Sequence, residues 1–277
     1  MFRTRKGTIM PSTDTIFAGS IPELYDRFLG PLLFLPYAEE VATRVGRWQP
    51  DHILETASGT GIVTDAIHRA APSARIVATD LNQSMLDLAA RRTVSDRVCF
   101  QVADAQHLPF ADNSFDLVVC QFGVMFFPDK VKANSEARRV LRPGGRYLLV
   151  IWDRLDRNNA SQIASDAVAA LYPRDPPAFL PRTPFGYADR GRIEDDLRAA
   201  GFTDIQFETV ERASLPSDPL SAAMGLVKGS PLSADILTRD PNGLDRATDA
   251  AAEALQSLVG PDGFESRLSA HFVTATR

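Results

Sequence analysis

Hydrophobic and polar positions follow two different periods along this chain, and their order predicts strands alternating with helices from residue 51 onward. The predicted strands are apolar runs, over residues 52–56, 75–79, 97–103, 115–121 and 146–152. Helical spacing between them predicts helices over residues 61–70, 83–91 and 130–141. Continuous apolar strands are typical of a sheet covered on both faces. The pattern therefore predicts a doubly wound α/β sheet with right-handed crossovers.

Two short helices are predicted before the first strand. Ser20 to Glu23 carry a capping-box pattern, and apolar residues at helical spacing follow it. Gly30-Pro31 is predicted to break this helix, and a second one is predicted over 37–45.

The chain beyond residue 153 has weaker signals. Helices are predicted over residues 158–171, 190–200, 217–228 and 244–259, and strands over 202–210 and 270–276. Residues 172–187 are rich in proline and predict a loop. The segment 217–260 precedes the last strand, where it could form either a wall of a pocket or a dimer surface; the sequence does not separate the two.

Composition and charge exclude several classes of protein. Hydrophobic residues make up 44% of the chain, which is typical of a globular protein. Lys and Arg number 30 against 35 Asp and Glu, so a nucleic-acid partner is not expected. Cys99 and Cys120 both stand in apolar runs and are expected to be buried, reduced thiols, which fits a cytoplasmic location. No targeting segment, membrane span or metal-ligand spacing is recognised.

A glycine-containing turn is the most informative local pattern. The run Ile53 to Gly61 reads as a strand entering a turn that opens a helix, where backbone N–H groups face a ligand. Asp80 follows Gly61 by 19 residues, a spacing at which a carboxylate binds a ribose diol. The alternatives are a tight turn without a ligand and an N-cap role for Asp80.

Polar or aromatic residues also stand at the ends of the other predicted strands: Glu55, Asp104, Gln121 and Trp152-Asp153. In a parallel sheet, ligands bind outside these carboxyl ends. Together the residues favour a nucleoside-containing ligand. Thr64 stands where a dinucleotide fingerprint has its third glycine, which argues against a pyrophosphate site.

Four segments in this order resemble the class I S-adenosylmethionine-dependent methyltransferases, particularly the small-molecule group that includes the ubiquinone and menaquinone biosynthesis enzymes. The segments are Glu55-Thr-Ala-Ser-Gly-Thr-Gly61, Ala78-Thr-Asp-Leu-Asn-Gln-Ser-Met85, residues 103–116 and Arg139-Val-Leu-Arg-Pro-Gly-Gly145. The resemblance implies a Rossmann-like, doubly wound, mostly parallel seven-stranded sheet with an antiparallel last strand. It further implies one structural domain, with N-terminal lid helices (1–45), a cofactor-binding core (46–153) and a remainder carrying a helical insertion before the last strand (154–277).

The resemblance also implies which residues hold the methionine end of S-adenosyl-L-methionine. Ala57, Gly59 and Gly61 would line it, although Ala57 stands where the family usually has a glycine. Glu55 would orient the loop or reach the amino group through water. Gln121 would contact the methionine moiety.

The adenosine end is assigned in the same way. Asp80 would bind the ribose diol, and Leu81 and Met85 would pack near the adenine and ribose. Asp104 would accept a hydrogen bond from the adenine amine, and Ala105 would offer its backbone N–H to the ring.

The expected reaction is in-line methyl transfer to a small-molecule acceptor, achieved mainly by positioning because the sulfonium already activates the methyl group. His107 is the candidate general base, the alternative being a surface histidine. Among the aromatic residues before the first strand, Tyr25 is the expected lid contact; burial on the sheet is the alternative. Two other functions remain open at this point: a non-catalytic cofactor-binding regulatory module and a nicotinamide-dependent oxidoreductase.

Overall fold

One seven-stranded sheet organises the chain in a computed structural model that describes residues 21–215 and 217–277. Its strands are β1 (His52–Thr56), β2 (Arg75–Asp80), β3 (Val98–Val102), β4 (Phe115–Gln121), β5 (Leu141–Trp152), β6 (Asp204–Ala213) and β9 (Arg267–Thr276). The spatial order is β3-β2-β1-β4-β5-β9-β6. Strand β9 pairs antiparallel with both β5 and β6, and the other pairs of neighbouring strands in this sheet are parallel. The predicted fold class is confirmed.

The strand order reverses direction at β1, which pairs with β2 on one side and β4 on the other. Ile53 and Leu54 of β1 are completely buried, as expected for a central strand covered on both faces. The carboxyl ends of β1, β2 and β4 consequently meet at a topological switch point, where doubly wound folds bind their ligands.

Helices cover both faces of the sheet. Those along the crossovers and the following connection are α3 (Ile62–Ala70), α4 (Gln83–Arg92), α5 (Lys130–Val140), α6 (Asn159–Ala170), α7 (Phe179–Arg182) and α8 (Arg190–Ala199). The insertion before β9 holds α9 (Pro219–Ala223), a π-helix (Met224–Lys228), α10 (Leu232–Arg239), α11 (Leu244–Leu255) and a small hairpin, β7 (Val259–Gly260) with β8 (Gly263–Phe264). Helix α10 and this hairpin were not predicted from the sequence, and α7 lies within residues 172–187, which were predicted to be a loop.

The N-terminal helices differ from the prediction. A continuous helical path, here called the lid, runs over residues 21–48 as α1 (Ile21–Leu24), a π-helix (Tyr25–Phe34) and α2 (Leu35–Trp48). The predicted break at Gly30-Pro31 is wrong, because π-winding lets the Leu35 N–H bond to the Gly30 carbonyl across the proline. Residues 1–20, including Ser20 of the predicted capping box, lie outside the described residues.

Two further expectations need correction. The sequence placed the start of the fifth strand at residue 146, but β5 begins at Leu141 and its Arg142–Gly145 stretch forms an irregularity opposite β4. Cys99 is exposed rather than buried, because it lies on β3 at the edge of the sheet. Cys120 is buried as expected. Among the residues that the structure describes, no helix is long and apolar enough to cross a bilayer.

Candidate functional site

The carboxyl ends of β1 and β4, the loop after β1 and the lid enclose a small cavity of about 30 Å³. Ten residues line it: Tyr25, Phe34, Glu55, Ala57, Ser58, Gly59, Thr60, Ile62, Val63 and Gln121. The sequence singled out Tyr25, Glu55, Ala57, Gly59 and Gln121 as cofactor contacts, so the fold brings these five predicted residues together.

The loop after β1 repeats a left-handed backbone conformation at every second residue. The φ angles are +53° at Ala57, +55° at Gly59 and +78° at Gly61. Gly61 could not carry a side chain, since a Cβ there would lie 2.8 Å from the Cβ of Ala89 in α4. A Cβ at Gly59 would meet no atom within 4 Å, so the space beside this glycine is open. The loop is therefore shaped for close approach of a ligand to its backbone.

Ala57 holds a conformation that favours glycine, and its methyl group lies against Gly123 after β4. A Cβ at Gly123 would overlap the Cβ of Ala57 and lie 2.9 Å from the Sγ of Cys120. The alanine in the first glycine position of the loop is thus accommodated by a glycine on the neighbouring strand's loop. This partnership could not be seen in the sequence, where the two residues are 66 positions apart.

We expect Ala57→Gly to raise the free energy of unfolding by about 1 kcal/mol, because it relieves a left-handed conformation. Gly123→Ala should lower it by roughly 1–3 kcal/mol through overpacking. The double variant should recover part of that loss, since the overlapping methyl group is gone. Urea denaturation of the four proteins measures the coupling. Strictly additive effects would show that the two residues do not share this space.

Asp80 ends β2 beneath the glycine loop and is 8% exposed. One carboxylate oxygen accepts a hydrogen bond from the Gly59 backbone N–H at 2.9 Å, and the other accepts from the Asn82 N–H at 2.8 Å. Burial raises the pKa of Asp80, and these bonds oppose the rise. The oxygen bound by Gly59 keeps a lone pair for a further donor, whereas the other also accepts from the Asn82 side-chain amide at 3.3 Å. The carboxylate could therefore accept from a ribose hydroxyl while it holds the loop.

Glu55, the one acidic residue of β1, is almost completely buried. Its Oε2 accepts a hydrogen bond from the Thr64 hydroxyl at 2.6 Å. Burial raises the pKa of Glu55 to about 8, with a smaller contribution from the negative charge of Asp80. At neutral pH the site therefore holds a protonated carboxyl group that a nearby cation would ionise.

Gln121 connects the end of β4 to the lid. Its Nε2 donates to the backbone carbonyl of Phe34 at 3.3 Å, while its Oε1 is buried without a hydrogen-bond partner. The hydroxyl of Ser58 in the glycine loop is likewise buried and unpartnered. Both residues line the cavity, so the cavity presents two unused hydrogen-bonding groups.

The residues predicted to contact adenine lie beside the cavity rather than in its lining. Met85 is buried, whereas Leu81 is 54% exposed. Asp104 follows β3 and accepts a hydrogen bond from the Gln106 N–H at 2.9 Å. Desolvation raises the pKa of Asp104, but the bonds from Gln106 and the nearby His107 outweigh it and lower the pKa. Ala105 is half-buried next to it. Leu81 and the half-exposed Asp104 form a surface beside the cavity on which a flat ring could lie.

His107 contacts Asp104 and Lys132. Its Nδ1 lies 3.4 Å from Asp104 Oδ2, and its Nε2 meets the ammonium group of Lys132. The ring is largely exposed and does not line the cavity. The general-base role of His107 stays a prediction, and the structure places this residue on the Asp104 side of the site.

An aromatic wall continues from the cavity to the end of β5. Phe34 stacks on Tyr25 at 4.7 Å between ring centroids and lies 5.9 Å from Phe122. Phe122 stacks on Trp152 at 3.6 Å and 4°, and Phe185 lies 5.7 Å from Trp152. Phe122 has a φ of +54°, which is rare for a bulky residue and marks a strained position at a functional edge.

Several of these features escaped the sequence analysis. Phe122 stands in no recognised motif, and Ser58 stands in the glycine-loop motif without a role having been assigned to it. A bulky aromatic residue directly after the strand-end Gln121 is the one signal that could have been followed.

Comparison with known proteins agrees with this geometry. Residues 54–149 match the family model described as a methyltransferase domain. The ubiquinone/menaquinone biosynthesis C-methyltransferase UbiE of Paracoccus denitrificans is 31% identical over 172 residues, covering 57% of this chain and 69% of that protein. The demethylmenaquinone methyltransferase of Lactiplantibacillus plantarum is 31% identical, covering 57% and 72%.

The chain belongs to the class I S-adenosylmethionine-dependent methyltransferases. It is an enzyme that transfers a methyl group from S-adenosyl-L-methionine to a small-molecule acceptor. The predicted family, activity and cofactor are confirmed.

Solved structures share the fold of this methyltransferase. The phosphoethanolamine N-methyltransferase 2 of Haemonchus contortus, solved with S-adenosyl-L-methionine, has a TM-score of 0.57 at 18% identity and covers 92% of this chain and 56% of that one. The YcgJ protein of Bacillus subtilis has a TM-score of 0.53 at 18% identity and covers 86% and 98%.

The residues of this methyltransferase fit its cofactor. The orphaned Gln121 Oε1 and Ser58 hydroxyl can accept hydrogen bonds from the ammonium group of a methionine moiety. Asp80 supplies an acceptor for a ribose hydroxyl, and Glu55 supplies negative charge once a bound cation has ionised it. Residues 21–215 and 217–277 contain no cluster of three or more side chains that could hold a metal ion.

Proposed function

We propose that the acceptor of this methyltransferase is a planar aromatic small molecule, held by the aromatic wall beside the cofactor. The observation that supports this is the continuity of the wall, in which Phe34 borders the cavity and leads through Phe122 to Trp152. Phe122 and Trp152 stack on each other and are 7% and 3% exposed, so a flat acceptor would pack against the edge of this wall and gain dispersion there. The relatives' names place those enzymes in ubiquinone and menaquinone biosynthesis, and quinone rings are planar.

The cofactor contacts of this site are proposals as well. Asp80 holds the ribose diol while it anchors the glycine loop, and Gln121 with Glu55 faces the methionine end. Ala57, Gly59 and Gly61 offer backbone close to the ligand. Met85 and Leu81 flank the adenine, and Asp104 with Ala105 recognises its edge.

The cofactor supplies an electrophilic methyl group when bound. This chain's residues align the acceptor with it and keep water away, and the loss of translational freedom is the main source of rate enhancement. Tyr25 and Phe34 on the lid close the cavity from above, whereas Gln121 closes it from the sheet. Methylation of a phenol or a ring carbon also releases a proton, which passes to a general base or to bulk water.

Binding and turnover measurements test the proposal. Isothermal titration with S-adenosyl-L-methionine and S-adenosylhomocysteine should give saturable binding, and a panel of phenols, quinols and aliphatic amines with methyl-labelled cofactor should label the ring compounds. Trp152→Ala should raise the KM for the ring acceptor more than the KM for the cofactor. Exclusive labelling of aliphatic amines would contradict the aromatic acceptor.

The two roles of His107 separate kinetically. A general base predicts that His107→Ala lowers kcat at least a hundredfold at neutral pH. An indirect role through Asp104 predicts a raised KM for the cofactor with kcat retained. We expect the second result, because both ring nitrogens are engaged by Asp104 and Lys132. Steady-state kinetics with each substrate varied distinguishes them.

The insertion over residues 217–260 supports the lid in this proposal. A Cβ at Gly225 would lie 2.8 Å from Leu29, and one at Gly229 would lie 3.1 Å from the Tyr25 backbone nitrogen, so this π-helix packs closely on the lid. The contact favours a pocket-wall role for the insertion. The homodimer stays a prediction that sedimentation velocity tests, and the cytoplasmic location stays a prediction too.

A further inference from the structure

Arg92, the last residue of α4, contacts the lid and the glycine loop at the same time. Its Nε donates to the backbone carbonyl of Thr60 at 3.0 Å, and its terminal nitrogen pairs with the carboxylate of Asp26 on the lid. The Thr60 hydroxyl donates to the same Asp26 oxygen at 2.6 Å. The three residues, here called the latch, join three segments that are far apart in the chain.

The latch is partly shielded from water. Thr60 is 2% exposed, whereas the side chains of Asp26 and Arg92 are 27% and 31% exposed. Ion pairs at the surface contribute little, but charge-assisted hydrogen bonds strengthen as water is excluded. One hydrogen bond and one ion pair meet at the Asp26 carboxylate, and a second hydrogen bond joins Arg92 to the Thr60 carbonyl, which gives the latch more strength than an exposed ion pair.

The latch controls the position of cavity residues without lining most of the cavity itself. Asp26 directly follows Tyr25, and Thr60 directly follows Gly59, whose N–H bonds to Asp80. At the other end of the lid's π-helix, Gln121 holds the Phe34 carbonyl. Releasing Asp26 would loosen the Tyr25 end of the lid, while Gln121 still holds the Phe34 end.

The cavity under the lid leaves little room for the methionine end of the cofactor. Its volume of about 30 Å³ holds about one water molecule, and the adenosine end would lie outside it, beside Asp80 and Asp104. The segments around the cavity are packed, since Gly30 approaches Ile62 and Gly225 approaches Leu29. Entry or release of the methionine end beneath Tyr25 and Phe34 consequently requires the lid to move.

We infer that Arg92 is a positioning residue that latches the lid through Asp26 and thereby sets how fast cofactor and product exchange. The inference rests on the proposed cofactor site. None of the latch groups comes from the ligand, so the latch can form again once a ligand has entered and the cavity has widened. Weakening it therefore speeds opening in both states and changes both exchange rates while affinity stays nearly constant.

Stopped-flow measurements with S-adenosylhomocysteine test the latch, using intrinsic tryptophan fluorescence. We expect Arg92→Ala and the milder Asp26→Asn to raise the association and dissociation rate constants each by about tenfold, the size expected for a lost charge-assisted interaction. Kd should stay within about threefold. Arg92→Lys should fall between wild type and Arg92→Ala, because it keeps the ion pair and lacks the planar fork.

Arg91→Ala is the matched control, since it removes an exposed arginine from the adjacent position of α4. A rise in both rate constants that is absent from this control supports the latch. Unchanged rates, or slower association with weaker binding, would overturn it and indicate a purely structural role. No binding of S-adenosylhomocysteine to the wild-type protein would instead refute the proposed cofactor site, so the two failures are distinguishable.

Discussion

Asp80→Ala is expected to weaken cofactor binding by roughly 1.5–3 kcal/mol, a ten- to hundredfold increase in Kd. Two losses act together. The ribose diol loses its carboxylate, and the Gly59 N–H loses the acceptor that fixes the glycine loop. Isothermal titration with S-adenosyl-L-methionine measures the change directly.

Asp87→Ala is the matched control for Asp80, because it removes an exposed carboxylate from α4. Its Kd should equal that of the wild-type protein, which would exclude a general effect of net charge. Asp80→Asn should also bind weakly, since an amide has one acceptor oxygen where the structure uses two. Wild-type affinity in Asp80→Ala, with the fold verified by circular dichroism, would refute the ribose assignment.

Glu55 is expected to make the stability of the cofactor-free protein fall as the pH rises. Its pKa is raised to about 8 in the folded protein from an ordinary value of 4.5. Between these values the folded state binds the proton and the unfolded state has lost it, so the free energy of unfolding decreases with pH. The stabilising contribution is complete below pH 4.5 and is lost as the pH rises through about 8. The slope is at most about 1.4 kcal/mol per pH unit.

Urea denaturation at pH 6, 7, 8 and 9 measures this dependence, and Glu55→Gln should flatten it. Asp80 is the charged group that raises the pKa of Glu55, and the hydrogen bond from Thr64 lowers it. Thr64→Val therefore serves as a second variant, in which the pKa of Glu55 shifts further upward. Equal slopes for the wild-type protein and Glu55→Gln would mean that Glu55 is already ionised at pH 6.

The same carboxyl group links protons to cofactor binding. A cationic ligand next to Glu55 stabilises the carboxylate, so binding near pH 7 should release a proton and affinity should rise towards pH 8. Calorimetry in two buffers with different ionisation enthalpies detects that proton. Its absence in Glu55→Gln assigns the proton to this residue.

Much of the sheet was predictable because its signals are local. Apolar runs set β1, β2 and β4 nearly residue for residue, and parallel pairing then brings their carboxyl ends to one edge. The glycine loop and Asp80 followed from their spacing to that edge. The helical path through Pro31 did not follow, because no local pattern reveals that the Leu35 N–H bonds to the Gly30 carbonyl across the proline.

By itself, the sequence determined the sheet through strand periodicity, and its resemblance to a known family gave the family and five of the residues that line the cavity. Only the tertiary structure decided how Ala57 is accommodated by Gly123, how Gln121 is divided between lid and cavity, and how Asp26 meets Arg92. These contacts join residues 66 to 87 positions apart. They arise from the geometry of packed layers, which no local pattern records.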